Sequence, residues 1–470
     1  MTSIYLVNPI SGRGHLDSYA RLYSRALVEL GYEVTLVAET DGETGAYLAR
    51  TSPASQAAFS FISFEKARRP AQGSGGSGAS QRASMTAVQR AHLVWREEGA
   101  IGLSRRCARV PRRVLLLYIP RSLLRRLRRL EQDAVRRLLR SRLARTLNLA
   151  FYLDAGRILF QTLLGYVHNA ATLPGRSPPD MVFFLYLDLM AERGRNIAAL
   201  DRAGAWPWIG ILFHPRLAAQ RNAKIEGYFK SANARGGVFL VPAAIPIYAD
   251  AAPSLSFALA PDVADLELPV EQPELARDIR RRAGGRTVVL QIGSIAPHKG
   301  IATLLDVIAL ADPTRFFFAF VGEVHWASFA DDEKRVRRAL TEPPENVFVY
   351  EGYVASEIDY NSLIDASDIV YAVYQNFNSS SNSLTKAAGF RRPILVSANS
   401  LMGQRVLASG TGSVAPENEP AAILAELGRL ATRPKESFSF DIYHQAHSLE
   451  ALKAVLADAM PRWLAAPPGA

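Results

Sequence analysis

The dipeptide Lys299-Gly300 falls between an apolar run, TVVLQIG at 287–293, and a helical face marked by Ile301, Leu304, Leu305 and Ile308. A helix start is the wrong end for a cation, because the macrodipole already places partial positive charge there. An ammonium at that position is suited to an anion bound beside it. Residues 379–382, Ser-Ser-Ser-Asn, lie between another apolar strand and another predicted helix. Hydroxyls and backbone N–H groups there suit helix capping and phosphate binding alike, and four polar residues exceed what a cap needs. Gly12 and Gly14, in SGRGH after the run IYLVNP, let the backbone approach a ligand at a third strand-to-helix turn. Glu39 and Asp41 lie near the end of the second strand but complete no dinucleotide fingerprint. His214 ends WIGILF in His-Pro-Arg, at a strand's carboxyl edge, where it serves chemistry or is a satisfied structural histidine. Asp17, Asp188 and Arg216 are candidates by position alone. No His/Asp/Glu cluster has metal-ligand spacing, so no metal is expected. The single cysteine, Cys107, excludes an internal disulfide and cysteine-based metal sites, and suits a reducing cytoplasm.

These residues need a scaffold, and 470 residues with 49% hydrophobic and 21% charged side chains can build two or three packed domains. The opening reads strand, turn, helix, strand: IYLVNP, a face of Tyr19, Leu22, Tyr23, Ala26, Leu27 and Leu30, then EVTLVAE. Buried parallel strands are expected at DMVFFLYL, WPWIGILFH and GGVFLVP. Residues 251–283, Pro- and Ala-rich at their start, read as a linker after a first domain of 1–250. From 284 to 440 strands alternate with helices: TVVLQIG, FFFAFVG, VFVYEGYV, DIVYAVY and PILVS. Alternation of this kind makes a parallel sheet, and two such halves face a cleft at the carboxyl ends of their strands. Residues 441–470 supply a C-terminal helix and tail.

The net charge of +11 is local: residues 101–150 hold 15 Arg and no Lys against Glu131 and Asp133, leaving −2 for the rest of the chain. Between 121 and 140, Leu123, Leu127, Leu130, Ala134 and Leu138 recur at helical spacing while Arg125, Arg128, Arg129, Arg136 and Arg140 take other faces. This amphipathic basic helix, inside an insertion at about 66–150 preceded by the Gly/Ser-rich connector 70–84, can lie on an anionic membrane surface. It can equally be a domain-surface helix with a solvated arginine face. No aromatic residues interleave with the arginines, so nucleic acid is not an expected partner. No basic prefix and long apolar run open the chain, and the apolar stretch 158–175 is interrupted by Gln161, His168 and Asn169; a cytoplasmic location, peripheral at an inner membrane face, is expected.

From Thr287 to Leu430 the ordered motifs resemble the retaining GT-B glycosyltransferases of the family that includes sucrose and trehalose-type synthases. They are Gly293-Ser294-Ile295-Ala296-Pro297-His298-Lys299-Gly300, Phe320-Val321-Gly322-Glu323, YEGYV at 350–354, ASDIV at 366–370, AAGFRRPILVS at 387–397 and GSVAPE at 412–417. The resemblance implies an α/β, GT-B fold of two Rossmann-like domains, a nucleotide-sugar donor as substrate with no cofactor, and a glycan or lipid-linked acceptor. It implies donor contacts from Gly293, Ser294, His298, Lys299, Gly322, Asn378, Ser379, Ser380, Ser381, Asn382 and Lys386, an acceptor-side loop at Gly12 and Gly14, and His214 with Lys299 in catalysis. Sugar–diphosphate cleavage leaves about two negative charges to neutralise. The chain departs from the pattern at three places. Ser294 stands where the family has an arginine, with His298, Arg391 and Arg392 as substitutes, and Asn378 and Lys386 replace two glutamates eight positions apart. These departures keep open a non-catalytic partner subunit of the same architecture. A third reading is a sugar-nucleotide epimerase.

Overall fold

The computed structural model describes residues 1–11, 17–68, 155–189, 206–215, 227–329 and 332–465. Gly12, Gly14, Cys107, Arg216, the connector 70–84 and the basic segment 121–140 lie outside the described residues. Among those described, two wholly parallel sheets form the fold, with helices as the crossovers that parallel strands require.

The first sheet contains β1 (Ser3–Asn8), β2 (Glu33–Ala38), β3 (Phe59–Ser63), β4 (Met181–Phe184), β5 (Trp208–Leu212), β6 (Gly236–Phe239) and β7 (Ser256–Leu259), in the order β3-β2-β1-β4-β5-β6-β7. The second contains β8 (Thr287–Ile292), β9 (Phe316–Gly322), β10 (Val347–Glu351), β11 (Ile369–Ala372), β12 (Ile394–Ser397) and β13 (Gly412–Ala415), in the order β10-β9-β8-β11-β12-β13. Central strands are buried along nearly their whole length and rich in Val, Ile, Leu and Phe because helices cover both faces. The passage read as a linker from 251 holds β7, which pairs with β6, and the helix Glu274–Ala283, which packs beside β8 and β9. Short polar-flanked edge segments hide their strand character in sequence.

Strand order reverses at β1/β4 in one sheet and at β8/β11 in the other, and it is there that turns at the carboxyl ends splay apart and leave a crevice. The segments after β8 and β11 hold Lys299 and Ser379–Asn382, so the topology brings two of the chemistry-bearing turns of the sequence together.

The last helix, Leu449–Ala465, packs on the first sheet rather than the second. Leu452, Leu456, Ala459, Met460 and Trp463 are fully buried in the first sheet's core, and Trp463 Nε1 donates to the Ser256 carbonyl at 2.9 Å. Lys453 adds an ion pair to Glu29 at 2.9 Å.

Candidate functional site

The turn after β8 is built around two close backbone approaches. Gly300 adopts φ +69°, and a Cβ on it would stand 2.3 Å from the Val373 carbonyl oxygen. The β8 and β11 turns can therefore touch: the Gln375 N–H donates to the His298 carbonyl at 2.8 Å, and the Gln375 amide donates to Thr303 Oγ1 at 3.1 Å. Gly322 at the end of β9 has φ +152°, and its Cβ would fall 1.6 Å from the Gly293 carbonyl oxygen. The glycine at 322 is thus required by backbone packing beneath the turn, a reason that needs no ligand. Gly322→Ala is expected to destabilise the fold by about 3 kcal/mol or more, since backbone rather than a flexible side chain must move; urea denaturation measures it.

Lys299 ends the 3₁₀ turn Pro297–Lys299, ahead of the helix Ile301–Leu310, with its ammonium 3.7 Å from the ring centroid of buried Tyr374. Burial alone would raise the Tyr374 phenol pKa, but the Lys299 charge and hydrogen bonds from the Ser383, Lys299 and Ser381 side chains bring it below its usual value. The His298 imidazole is lowered by desolvation, then by Lys299 and His325, which favours its neutral form. Ser294 is half-buried in the same turn.

From the first lobe, His214 follows β5 and is exposed. Its Nδ1 lies 3.0 Å from Ser379 Oγ, and its ring meets Phe377 edge-on at 6.3 Å. Asp188, after β4, fixes this corner by accepting the backbone N–H groups of Phe213 and His214 at 2.7 and 2.9 Å. His214 and the serine loop therefore meet across the cleft, as the positions of both at strand ends imply.

Within that loop the other residues have distinct partners. Asn378 Oδ1 accepts the Leu401 N–H at 2.9 Å, and Asn382 Nδ2 donates to the Val263 carbonyl at 3.4 Å. Ser381 precedes the helix Asn382–Gly389 without capping it through its side chain. Ser380 bonds both Asp262 and Arg405, and Arg405 also donates to the Leu240 carbonyl of the first lobe at 2.7 Å. Arg405 and Asp262 escaped the sequence reading because nothing in their local pattern marks them. Of the three stand-ins for the missing arginine, two are engaged elsewhere, Arg391 with Asp441 at 2.7 Å and Arg392 with Asp365 at 2.8 Å, while His298 stays in the turn beside Lys299.

Lys386 corrects the expectation of a donor contact. It is 1% exposed, and its ammonium donates to Glu357 Oε1 at 2.6 Å, to the Asp265 carbonyl at 2.9 Å and to Asn361 Oδ1. With three donors and three acceptors it has nothing left for a phosphate.

Asp262 ties the lobes together. Its carboxylate accepts Tyr19 Oη at 2.6 Å and the Ser380 hydroxyl, its carbonyl accepts Thr385 Oγ1 at 2.7 Å, and its N–H donates to His447 Nδ1 at 2.8 Å. Burial and then the Arg405 charge push the His447 imidazole down to about 3. The folded chain therefore refuses a proton that the unfolded chain takes up below about 6.5. Stability contributed by neutral His447 is complete above that pH and falls as pH drops from about 6.5 to 3. His447→Asn, which keeps an acceptor without titrating, is expected to flatten this part of a Tm-versus-pH profile relative to wild type.

Among the described residues no group of three or more His, Cys, Asp or Glu could hold a metal ion, and no helix is long and apolar enough to cross a membrane.

Two facing parallel sheets with the cleft at their carboxyl ends define the GT-B fold, and solved GT-B structures match over nearly the whole chain. Sucrose-phosphate synthase from Thermosynechococcus elongatus is 15% identical with a TM-score of 0.56, covering 99% of this chain and 100% of that one. HepE of Anabaena, solved in complex with UDP and glucose, is 12% identical with a TM-score of 0.53, covering 98% and 100%. A glycosyltransferase from Rickettsia africae is 10% identical with a TM-score of 0.54, covering 99% of each chain. No family model and no curated protein sequence matches the chain.

Proposed function

We propose that this chain is a glycosyltransferase that moves a sugar from a nucleotide-diphosphate donor to a glycan or lipid-linked acceptor with retention of configuration, in polysaccharide or glycoconjugate synthesis. The observation that carries this reading is the convergence of Lys299, after β8, with the Ser379–Asn382 loop, after β11, where His214 arrives from the other lobe. Departure of a diphosphate needs positive charge and N–H donors already in place. Lys299 supplies the charge, and the N-termini of Ile301–Leu310 and Asn382–Gly389 supply oriented dipoles. His214 and Ser379 stand where the transferred sugar would meet the acceptor side. The bound UDP of HepE, on the same fold, agrees with such a donor.

Calorimetric titration with UDP, GDP and their common sugar conjugates tests the reading. Micromolar binding of one diphosphate, lost in Lys299→Ala, supports it; no binding to any moves the assignment to the second reading, a non-catalytic partner subunit. Ser294, Asn378 and buried Lys386, in place of the family's arginine and glutamates, are the observations that favour that alternative.

The acceptor side would work at the cytoplasmic face of a membrane, with the arginine-rich segment 121–140 against anionic headgroups, each basic residue adding about 1 kcal/mol. Deleting 121–140 is expected to abolish sedimentation with anionic vesicles at low salt, and unchanged binding sinks the membrane assignment.

A further inference from the structure

The loop that follows β11, and the helix it opens, are fastened in large part to the junction between the lobes. Ser379 Oγ meets His214 of the first lobe, Asn382 Nδ2 donates to the Val263 carbonyl, and Thr385 Oγ1 donates to the Asp262 carbonyl. Asp262 and Val263 are each 1% exposed and lie between β7 and the helix Glu274–Ala283, on the segment that crosses from one lobe to the other.

Ser380 makes the central tie. Its hydroxyl donates to the Asp262 carboxylate and accepts from Arg405 Nη1. A hydroxyl has one proton, and this one is committed to Asp262, so Ser380 has none left for a phosphate oxygen. Both partners are charged, which makes these bonds the stronger kind. Each partner is also held by the first lobe. The other carboxylate oxygen of Asp262 accepts Tyr19 Oη at 2.6 Å, and Arg405 Nη2 donates to the Leu240 carbonyl at 2.7 Å. Tyr19 is near the start of the helix Ser18–Glu29 and Leu240 follows β6, so two separate points of the first lobe converge on one hydroxyl of the second.

We infer that Asp262 and Arg405 are positioning residues for the donor loop, acting through Ser380, so that the loop is set for a diphosphate only while the Tyr19–Asp262 and Leu240–Arg405 bonds hold. The inference rests on the nucleotide-sugar reading above. It takes Ser380 out of the diphosphate contacts and makes it the link that places Ser379, Ser381 and the N-terminus of Asn382–Gly389. That helix start has no side-chain cap of its own, so its direction depends on such outside ties. Loosening a bond made by the first lobe should therefore weaken a ligand that touches only the second, which is a coupling between distant groups.

Calorimetric titration of the full chain with UDP, GDP and ADP selects a diphosphate, which is then titrated into Tyr19→Phe, Ser380→Ala and the double variant. Tyr19→Phe, which removes one oxygen atom from the first lobe, is expected to weaken binding about 10-fold, the scale of one hydrogen bond to a charged group. Ser380→Ala is expected to weaken it by a similar factor, and the double variant to bind no more weakly than the worse single. A role confined to stability would lower the melting temperature of Tyr19→Phe and leave the affinity of the folded chain untouched. That result overturns the inference, as do losses that multiply in the double variant. Should Tyr19→Phe fail to fold, Arg405→Met takes its place by severing the Leu240 bond, with the same non-additive loss expected. Diphosphate binding that needs Lys299 but is indifferent to both single variants defeats this inference and leaves the proposed function intact; absence of any diphosphate binding by wild type defeats both.

Discussion

Lys299→Ala should cost about 100- to 1,000-fold in sugar-transfer turnover and weaken diphosphate binding by at least about 10-fold. A preorganised positive group at a developing charge contributes on this scale, and a hydrogen bond to a charged group supports the binding figure. The fold should survive, because Lys299 is only half-buried and its contact is the face of the Tyr374 ring. A second readout separates local from global damage. Without the Lys299 ammonium, burial dominates Tyr374 and its phenol titrates at higher pH, which ultraviolet difference titration against Tyr374→Phe detects. Loss of activity with unchanged diphosphate affinity would place Lys299 outside the donor site.

Lys386→Ala should destabilise the chain by about 3–5 kcal/mol, because it leaves the buried Glu357 carboxylate without its counter-charge. Asn361 Oδ1 loses a donor as well, while its amide still holds the carbonyls of Asp265 and Glu267 at 3.1 and 2.8 Å. Lys386→Met/Glu357→Gln should recover most of that stability, since neutral side chains of similar volume often replace a buried pair at little cost. Guanidinium denaturation of wild type and the two variants checks both. Equal stability of Lys386→Ala and wild type would show that water reaches Glu357 and that the pair is not sealed.

How far the sequence discloses this architecture depends on how many sides of each element are packed. Central strands such as Val288–Leu290 within β8 and all of β9 are apolar in succession, and their nature is plain from composition. β3, β7 and β13 are sheet edges, with half-buried serines among their residues, so their apolar signal is diluted to the level of a loop. The site follows the same logic. Lys299, His214 and the serine loop stand at strand ends, where parallel topology fixes their direction. Glu357 and Lys386 lie 29 residues apart, and Ser380 and Asp262 lie 118 apart, so those pairings emerge only when helices and linker pack. Lys386 misled because local spacing aligns it with a ligand position while its long side chain reaches away to a buried partner.

The return of the helix Leu449–Ala465 to the first sheet also sets an order of events during synthesis. β8 to β13 and their helices are contiguous in the chain and can close as soon as they have left the ribosome. The first lobe cannot, because the apolar surface covered by Leu452, Leu456, Met460 and Trp463 stays bare until the final helix emerges. The half of the protein translated first is therefore the half completed last, and a nascent chain stalled before residue 449 would present that bare surface to chaperones.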